Sequence, residues 1–469
     1  MSDPKEIRIK NPNALMNEGP TAIGMMSTII EGGGSLDSAV RDVAKNGPKN
    51  ISLLLQGIVA DADVRRMPDV RTGLADMLSR LPFSVTPLRR ALHMAAVASE
   101  SLDLVEKRRM LSNAADISLN GLREMGDSYS ASLNMPCMTI FGLGIMVPMV
   151  LMTILPMLSM GDMFGTMPIG QDIVIMMTLV IIPSIILGVM LSLRDRNPFL
   201  TKRARIGDAR HAIPATIGMP VAFLVWNLTE SVGMTLVASV SASGVAMAAS
   251  LMLHVKEARL VERQEQLLKD SVFELGNRLI SGENFETAIV EAIGVRKECK
   301  GIVRDLSMEL MLCRGDVHMA LKRSIGPVSL SSAEIYCNIF SCSMKDTREA
   351  GRLAISIGRQ LQDQDIVRKD IRNKLKGMVD MMVGTAAVFA PLVLGMSISM
   401  LEPLSRMSEG IDSSVTSLVL SVYLIELGIL ISILTTFLNG RGNLKDILFK
   451  IGSMLPISML VFTACSSLM

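Results

Sequence analysis

Hydrophobic and polar positions are segregated along the chain. Apolar runs poor in charge fall at residues 136–160, 171–192, 211–229, 231–253, 377–401, 414–437 and 447–467. Each is close to the roughly 20 residues that a helix needs to cross a hydrocarbon core. The pattern predicts seven membrane helices, with the third and fourth forming a hairpin about the polar turn from Asn227 to Ser231. Merging those two would reduce the count to six, but the merged run, broken by Glu230, is too long for one helix. As drawn, the spans are expected to hold no basic residue. Glu426 stands in the sixth, about twelve residues from either end and so near the bilayer centre at about 1.5 Å per residue. An ionised carboxylate at that depth is costly unless paired, hydrated or protonated, so protonation or a hydrogen bond to Ser or Thr of a neighbouring helix is expected.

Charge in the connections gives an orientation. The segment after the second run carries Arg194, Arg196, Lys202, Arg203, Arg205 and Arg210, and basic loops stay on the cytoplasmic side. The segment after the first run, GDMFGTMPIGQD, has two Asp and no basic residue, and the one after the fifth sets Arg406 against Glu402, Glu409 and Asp412. With Arg441 and Lys445 inside, the expected topology is N-terminus in, C-terminus out, and both charge-rich blocks in the cytoplasm. Trp226 falls at the outer end of the third run, where an amphipathic ring suits the interface.

The two charge-rich blocks resemble each other. IIEGGGSLDSAVRDVA aligns with LISGENFETAIVEAI: Gly33 matches Gly282, Ser35 matches Asn284, and Asp37 matches Glu286. Leu36, Ala39, Val40, Val43 and Ala44 share their spacing with Phe285, Ala288, Ile289, Ala292 and Ile293, the spacing of one helix face. Each reads as a helix, a Gly stop, a Ser or Asn N-cap and an amphipathic helix. Further on, PDVRTGLADML aligns with GDVHMALKRSI, with Asp69 and Asp316 at the N-cap. Both blocks lead into an apolar run with a central proline, Pro148 or Pro391. The blocks show almost no period-2 alternation of β-branched residues, so they are expected to be wholly helical, with about six helices each. The expected organisation is a tail at 1–21, a helical domain at 22–135, four membrane helices in 136–254, a second helical domain at 255–376 and three membrane helices in 377–469. This describes an all-α integral membrane protein with two homologous cytoplasmic helical bundles in a parallel internal repeat.

Composition narrows the chemistry. The 469 residues are 49% hydrophobic and 20% charged, with a formal net charge of +2, so there is no concentrated basic face for nucleic acid. Six cysteines without a CxxC, and four isolated histidines (His93, His211, His254, His318), support neither a metal site nor a disulfide framework. The 38 methionines suit soft packing and lipid contact. No apolar signal sequence is expected at the N-terminus. GGGS at Gly32 to Ser35 lacks the Lys of a phosphate-binding loop and is better explained as a helix stop. No cofactor and no catalytic residue is expected.

The motif G-x-(S/N)-(L/F)-(D/E)-x-A followed by (P/G)-D-V-x-x-(G/A)-L, in a block ahead of a membrane span, resembles the type II secretion system F domain. Its duplication with seven spans is similar to the platforms of archaeal type IV pilus-like machines, including the archaellum platform and relatives of the Tad system. The likeness covers residues 22–160 and 270–404. It implies a non-enzymatic platform in the cell membrane that docks a hexameric secretion ATPase and engages pilin- or archaellin-like subunits in the bilayer; a homodimer is compatible with it. On that implication the candidate docking surface is Arg89, Arg90, Lys107, Arg108 and Arg109 with Arg194, Arg196, Lys202, Arg203 and Arg205, and ordinary solvated helix faces are the plain alternative. Two competing classes are an ion-coupled transporter using Glu426 and a membrane-anchored receptor, for which no output domain is found.

Overall fold

The computed structural model describes residues 12–151, 175–196, 216–229, 232–313, 315–405, 413–438 and 444–467. Among these every regular element is helical. Five helices are long and apolar enough to cross a membrane: Leu104–Leu151, Val232–Ile280, Thr347–Met400, Val415–Leu438 and Leu444–Ser466. Two shorter apolar helices, Met177–Leu193 and Gly218–Asn227, lie where the second and third spans are expected. Residues 152–174 and 211–215, which belong to the expected first three spans and the segment between the first two, fall outside the described residues. The chain is an all-α protein with the helices of a multi-pass membrane protein. It divides into two compact units, Met1–Ser128 with Ala258–Ile371 and Tyr129–Glu257 with Arg372–Met469.

The first unit holds two helical bundles. The first comprises α1 (Pro12–Glu31), α2 (Leu36–Asn46), α3 (Lys49–Asp63), α4 (Val70–Arg80), α5 (Thr86–Ala98) and the start of α6 (Leu104–Phe141). Beyond the apolar helices α7 (Ile182–Arg196) and α8 (Gly218–Thr229), the second begins with the end of α9 (Val232–Ile280). It continues through α10 (Phe285–Gly294), α11 (Lys300–Leu312), α12 (Val317–Ser324) and α13 (Leu330–Ser343) to the start of α14 (Thr347–Gly384). The order of elements is the same in both. α1 and α9 each end in a left-handed glycine, Gly33 at φ 82° and Gly282 at φ 90°, a conformation that a Cβ disfavours. α4 and α12 are each capped by an aspartate: Thr72 N–H donates to Asp69 at 2.8 Å, and Met319 N–H to Asp316 at 3.0 Å.

One cap departs from expectation. Ser35 accepts from Ser38 N–H at 3.1 Å, whereas Asn284 occupies the same place before α10 without a side-chain cap bond. The buried sets are those the spacing predicts: Leu36, Ala39, Val40, Val43 and Ala44 on α2, and Phe285, Ala288, Ile289, Ala292 and Ile293 on α10. Each bundle closes around its own apolar cluster. In the second, Tyr336 is fully buried and its hydroxyl donates to Leu268 O at 2.7 Å. α9 meets α14 there through glycines, since a Cβ built on Gly276 would lie 2.9 Å from Gly351 O.

Both polar and apolar contacts link the bundles, and Ile371 of α14 packs on Gly126 of α6. Gln364 Nε2 donates to Pro20 O at 2.9 Å, Arg368 to Thr21 Oγ1 at 3.4 Å, and the Gln360 amide lies against Gly24.

In the second unit the expected central prolines come with a backbone irregularity. Single π turns occupy Gly142–Met146, Met177–Ile181 and Thr385–Phe389, and each ends two residues before a proline: Pro148, Pro183 and Pro391. Proline has no N–H to give and its ring crowds the carbonyl four residues back. The preceding residue reaches one carbonyl further in all three cases: Val147 N–H bonds Gly142 O, Ile182 bonds Met177 O, and Ala390 bonds Thr385 O. The widened turn thus accommodates the ring inside an otherwise continuous helix.

The other helices of this unit are α15 (Ala390–Ser405), α16 (Ser413–Leu438) and α17 (Leu444–Ser466), which pack against one another. α16 also packs against α7 and the three π turns. Its Tyr423, fully buried, donates to Gly144 O at 2.5 Å. That carbonyl is the one Pro148 leaves without its usual N–H. Outward-facing apolar residues such as Met219, Phe223 and Leu224 on α8 are exposed, as lipid contact requires.

Tyr423→Phe keeps the ring and removes the donor. With Gly144 O unpaired in an apolar interior, the expected cost is about 1–3 kcal/mol, read as a lower thermal midpoint of the full chain in detergent. An unchanged midpoint would mean that another donor meets that carbonyl.

Candidate functional site

The structure separates the basic residues singled out from the sequence. Arg89, half-buried on α5, places its guanidinium 5.8 Å from the centre of the Phe83 ring, while Arg90 is exposed. The start of α5 lies beside residues 118–121 of α6, because Leu88 and Ser118 both line Gly19 and Pro87 abuts Gly121. Lys107, Arg108 and Arg109 sit about ten residues, roughly 15 Å, nearer the start of α6. The five are therefore two groups on one bundle rather than a continuous patch. Arg194 and Arg196 close α7, with side chains outside the described residues, and Lys202, Arg203 and Arg205 also lie outside them.

Glu426 lies midway along α16, and one of its carboxylate oxygens is buried without a hydrogen-bond partner among the described residues. The expected Ser or Thr partner is not found there. The expectation of no basic residue in the spans is overturned by Lys450, which lies within the 447–467 run, where a polar stripe of α16 receives its ammonium: Nζ reaches Thr435 Oγ1 at 3.2 Å. Thr435 is nine residues beyond Glu426, about 13 Å along the helix.

Two polar clusters join the bundles, and neither is visible as a motif. In the first, Asn46 Nδ2 on α2 donates to Asp42 Oδ1 at 2.8 Å and to Glu334 Oε2 on α13 at 3.5 Å. Lys322 of α12 holds the other Glu334 oxygen at 2.9 Å. Asp42 Oδ2 is buried with no hydrogen-bond partner among the described residues. Burial first, and then the nearby Glu334 charge, push the Asp42 carboxyl above the usual carboxylate range, against the pull of Asn46, Lys322 and Lys45.

The second cluster is a cleft of about 330 Å³ between α6 of the first bundle and α14 of the second. Leu111, Ser112 and Leu119 form one wall; Arg352, Leu353 and Arg359 form the other. Its floor is α1, which contributes Ser27 and Glu31. Ser27 is 5% exposed. Its hydroxyl and the Gln360 Nε2 beside it are both buried with no hydrogen-bond partner among the described residues. Arg108, one of the sequence candidates, lines the cleft and lies 4.0 Å from Glu349. Burial pushes the Glu31 carboxyl above its ordinary range despite Arg108 and a hydrogen bond with Ser356. The cleft thus sets hydroxyl, amide, guanidinium and carboxylate groups beside an apolar wall. No protein family, curated protein or solved structure matches the chain.

Asp42 generates a pH prediction. A carboxyl whose folded-state pKa is raised binds its proton more tightly in the fold, so wild-type stability falls as pH rises from about 3.9, the unfolded value, through the folded value. Asp42→Asn still accepts from Asn46 and lacks the charge. It is expected to unfold at a higher temperature than wild type at pH 7 and to lose part of the decline over that window, measured on the full chain in detergent. Lower stability of the variant at pH 7 would show that the Asp42 charge is instead held favourably.

Proposed function

We propose that the chain is the cell-membrane platform of a type IV pilus-like filament machine. The observation that carries this reading is the pair of six-helix bundles with equivalent glycine turns and aspartate caps, each ending in a helix that enters an apolar segment through a π turn before a proline. That is the unit expected from the resemblance to the type II secretion system F domain, present twice in one orientation, and we read it as an internal duplication. With seven spans, both bundles lie in the cytoplasm, where they dock a hexameric secretion ATPase. The membrane helices engage pilin- or archaellin-like subunits, and movement imposed on the bundles by ATP hydrolysis is passed to the growing filament. The chain itself carries out no reaction.

The reading is tested by whether the detergent-solubilised full chain and the purified secretion ATPase of the same organism form a complex on size-exclusion chromatography. Co-elution that weakens with rising salt is expected, because charged surfaces are screened within about 10 Å at 0.1 M salt. Separate elution under all conditions would overturn the platform reading.

A second reading, an ion-coupled transporter, draws on the unpartnered carboxylate oxygen of Glu426. Glu426→Gln keeps size and polarity and removes titration. The platform reading expects filament assembly to survive Glu426→Gln and to be impaired by Glu426→Leu. Loss of assembly with Gln, in protein that still reaches the membrane and binds the ATPase, would favour a titrating site.

A further inference from the structure

We infer that the cleft between α6 and α14 is the open state of a seam that closes: the two bundles swing together about the contact of Gly126 with Ile371 and bring Asp116 of one wall onto Arg359 of the other. The inference does not depend on the platform reading. The lining holds four carboxylates and three arginines. Its charge is nearly balanced, so the walls complement each other better than they complement a charged ligand. A volume of about 330 Å³ has room for about ten waters at roughly 30 Å³ each, and closure returns these to the bulk.

The register of the walls supports this pairing. Arg108 lies 4.0 Å from Glu349 near the start of both helices. About 27 Å further along α6, at about 1.5 Å per residue, Ile371 packs on Gly126. The two helices therefore run parallel and in step, and on that register Asp116 comes opposite the turn of α14 that carries Arg359. Both side chains are exposed and line the cleft, yet neither forms an ion pair among the described residues. One opposite-charge pair is thus at the edge of contact, and the next falls outside it.

The contacts that hold the bundles are graded along α14. At the pivot, a Cβ built on Gly126 would lie 2.5 Å from Ile371 Cγ1, so the isoleucine fills the space that a side chain there would take. Next to it, Arg368 and Gln364 bond Thr21 and Pro20 of α1. One turn further from the pivot, Gln360 Nε2 has no hydrogen-bond partner among the described residues, and neither has the Ser27 hydroxyl on α1. Bonds made near the pivot and unmade groups beyond it are the pattern of two bodies joined at one end, and each bundle has the separate core that such a swing needs. An exposed ion pair is a weak bias, so both states stay populated and salt shifts the balance between them.

The test measures distances across the seam by double electron–electron resonance on the full chain in detergent. Nitroxides are attached to p-acetylphenylalanine introduced at the exposed positions of Asn113 and Arg348, one on each side of the opening, which leaves the native cysteines in place. Two distance populations are expected. The shorter one should fall threefold or more between about 0.05 M and about 1 M salt, where the screening length drops to about 3 Å. Asp116→Asn or Arg359→Gln should reduce it by a similar factor at low salt, and the exchange Asp116→Arg with Arg359→Asp should restore it. Labels at Glu124 and Lys369, beside the pivot, should keep one distance throughout.

A single distance population between the labels at 113 and 348 at every salt concentration overturns the closing seam. So do two populations whose ratio ignores salt and both single substitutions, since charge across the cleft would then play no part. A change at the pivot labels as large as that at the opening shows the bundles parting as a whole and overturns the swing. The salt series on the chain without charge substitutions decides the matter even where a variant fails to fold.

Discussion

A backbone carbonyl in an apolar surround has no water to accept from, and it must find a donor within the protein. That constraint shapes the membrane half of this chain. It confines the apolar segments to helices and makes each interior proline a local problem. The problem is met three times in one way, by a π turn that ends two residues before Pro148, Pro183 or Pro391. At Pro148 a second device is added, the Tyr423 hydroxyl against Gly144 O. One side chain of α16 thereby ties a neighbouring helix at the place where its own ladder is weakest.

The charge-rich half follows a different economy. Two bundles with separate apolar clusters could each fold around its own core, and beside apolar contacts they are joined by a set of amides, carboxylates and cations. Some of these are well met, such as Gln364 on Pro20 O. Others are not: among the described residues Asp42 Oδ2, Ser27 Oγ and Gln360 Nε2 hold unused hydrogen-bonding capacity. Native structures satisfy nearly all buried polar groups, so unmet groups gathered along one seam set it apart from the rest of the unit.

Much of the architecture was legible in the sequence because it depends on local chemistry. Helix faces follow from apolar spacing, glycine stops from the left-handed conformation at Gly33 and Gly282, and caps from Asp69 and Asp316. The Asn284 cap was misjudged, since residue type gives the capacity to cap but not the rotamer that does so. Lys450 stands in the sequence of the last run, and only the fold shows that its ammonium reaches Thr435 of the neighbouring helix. The prolines were visible, but the π turns before them were not, because they change the hydrogen-bond register and leave no residue signature. The cleft was out of reach for a topological reason: Ser27, Ser112 and Arg359 are far apart in the chain, and only folding sets them around one space.

The polar character of the seam has a calorimetric consequence. Breaking the amide and ion contacts there uncovers little hydrocarbon, and hydrocarbon exposure is what gives unfolding its large positive heat capacity. Those contacts would therefore add only a small heat-capacity change, whereas the apolar contacts beside them, such as Ile371 on Gly126, would carry most of it. Motion that breaks only the polar contacts would keep nearly the same cost in a cold cell as in a hot one, while the two cores on either side follow the curved stability of any packed domain.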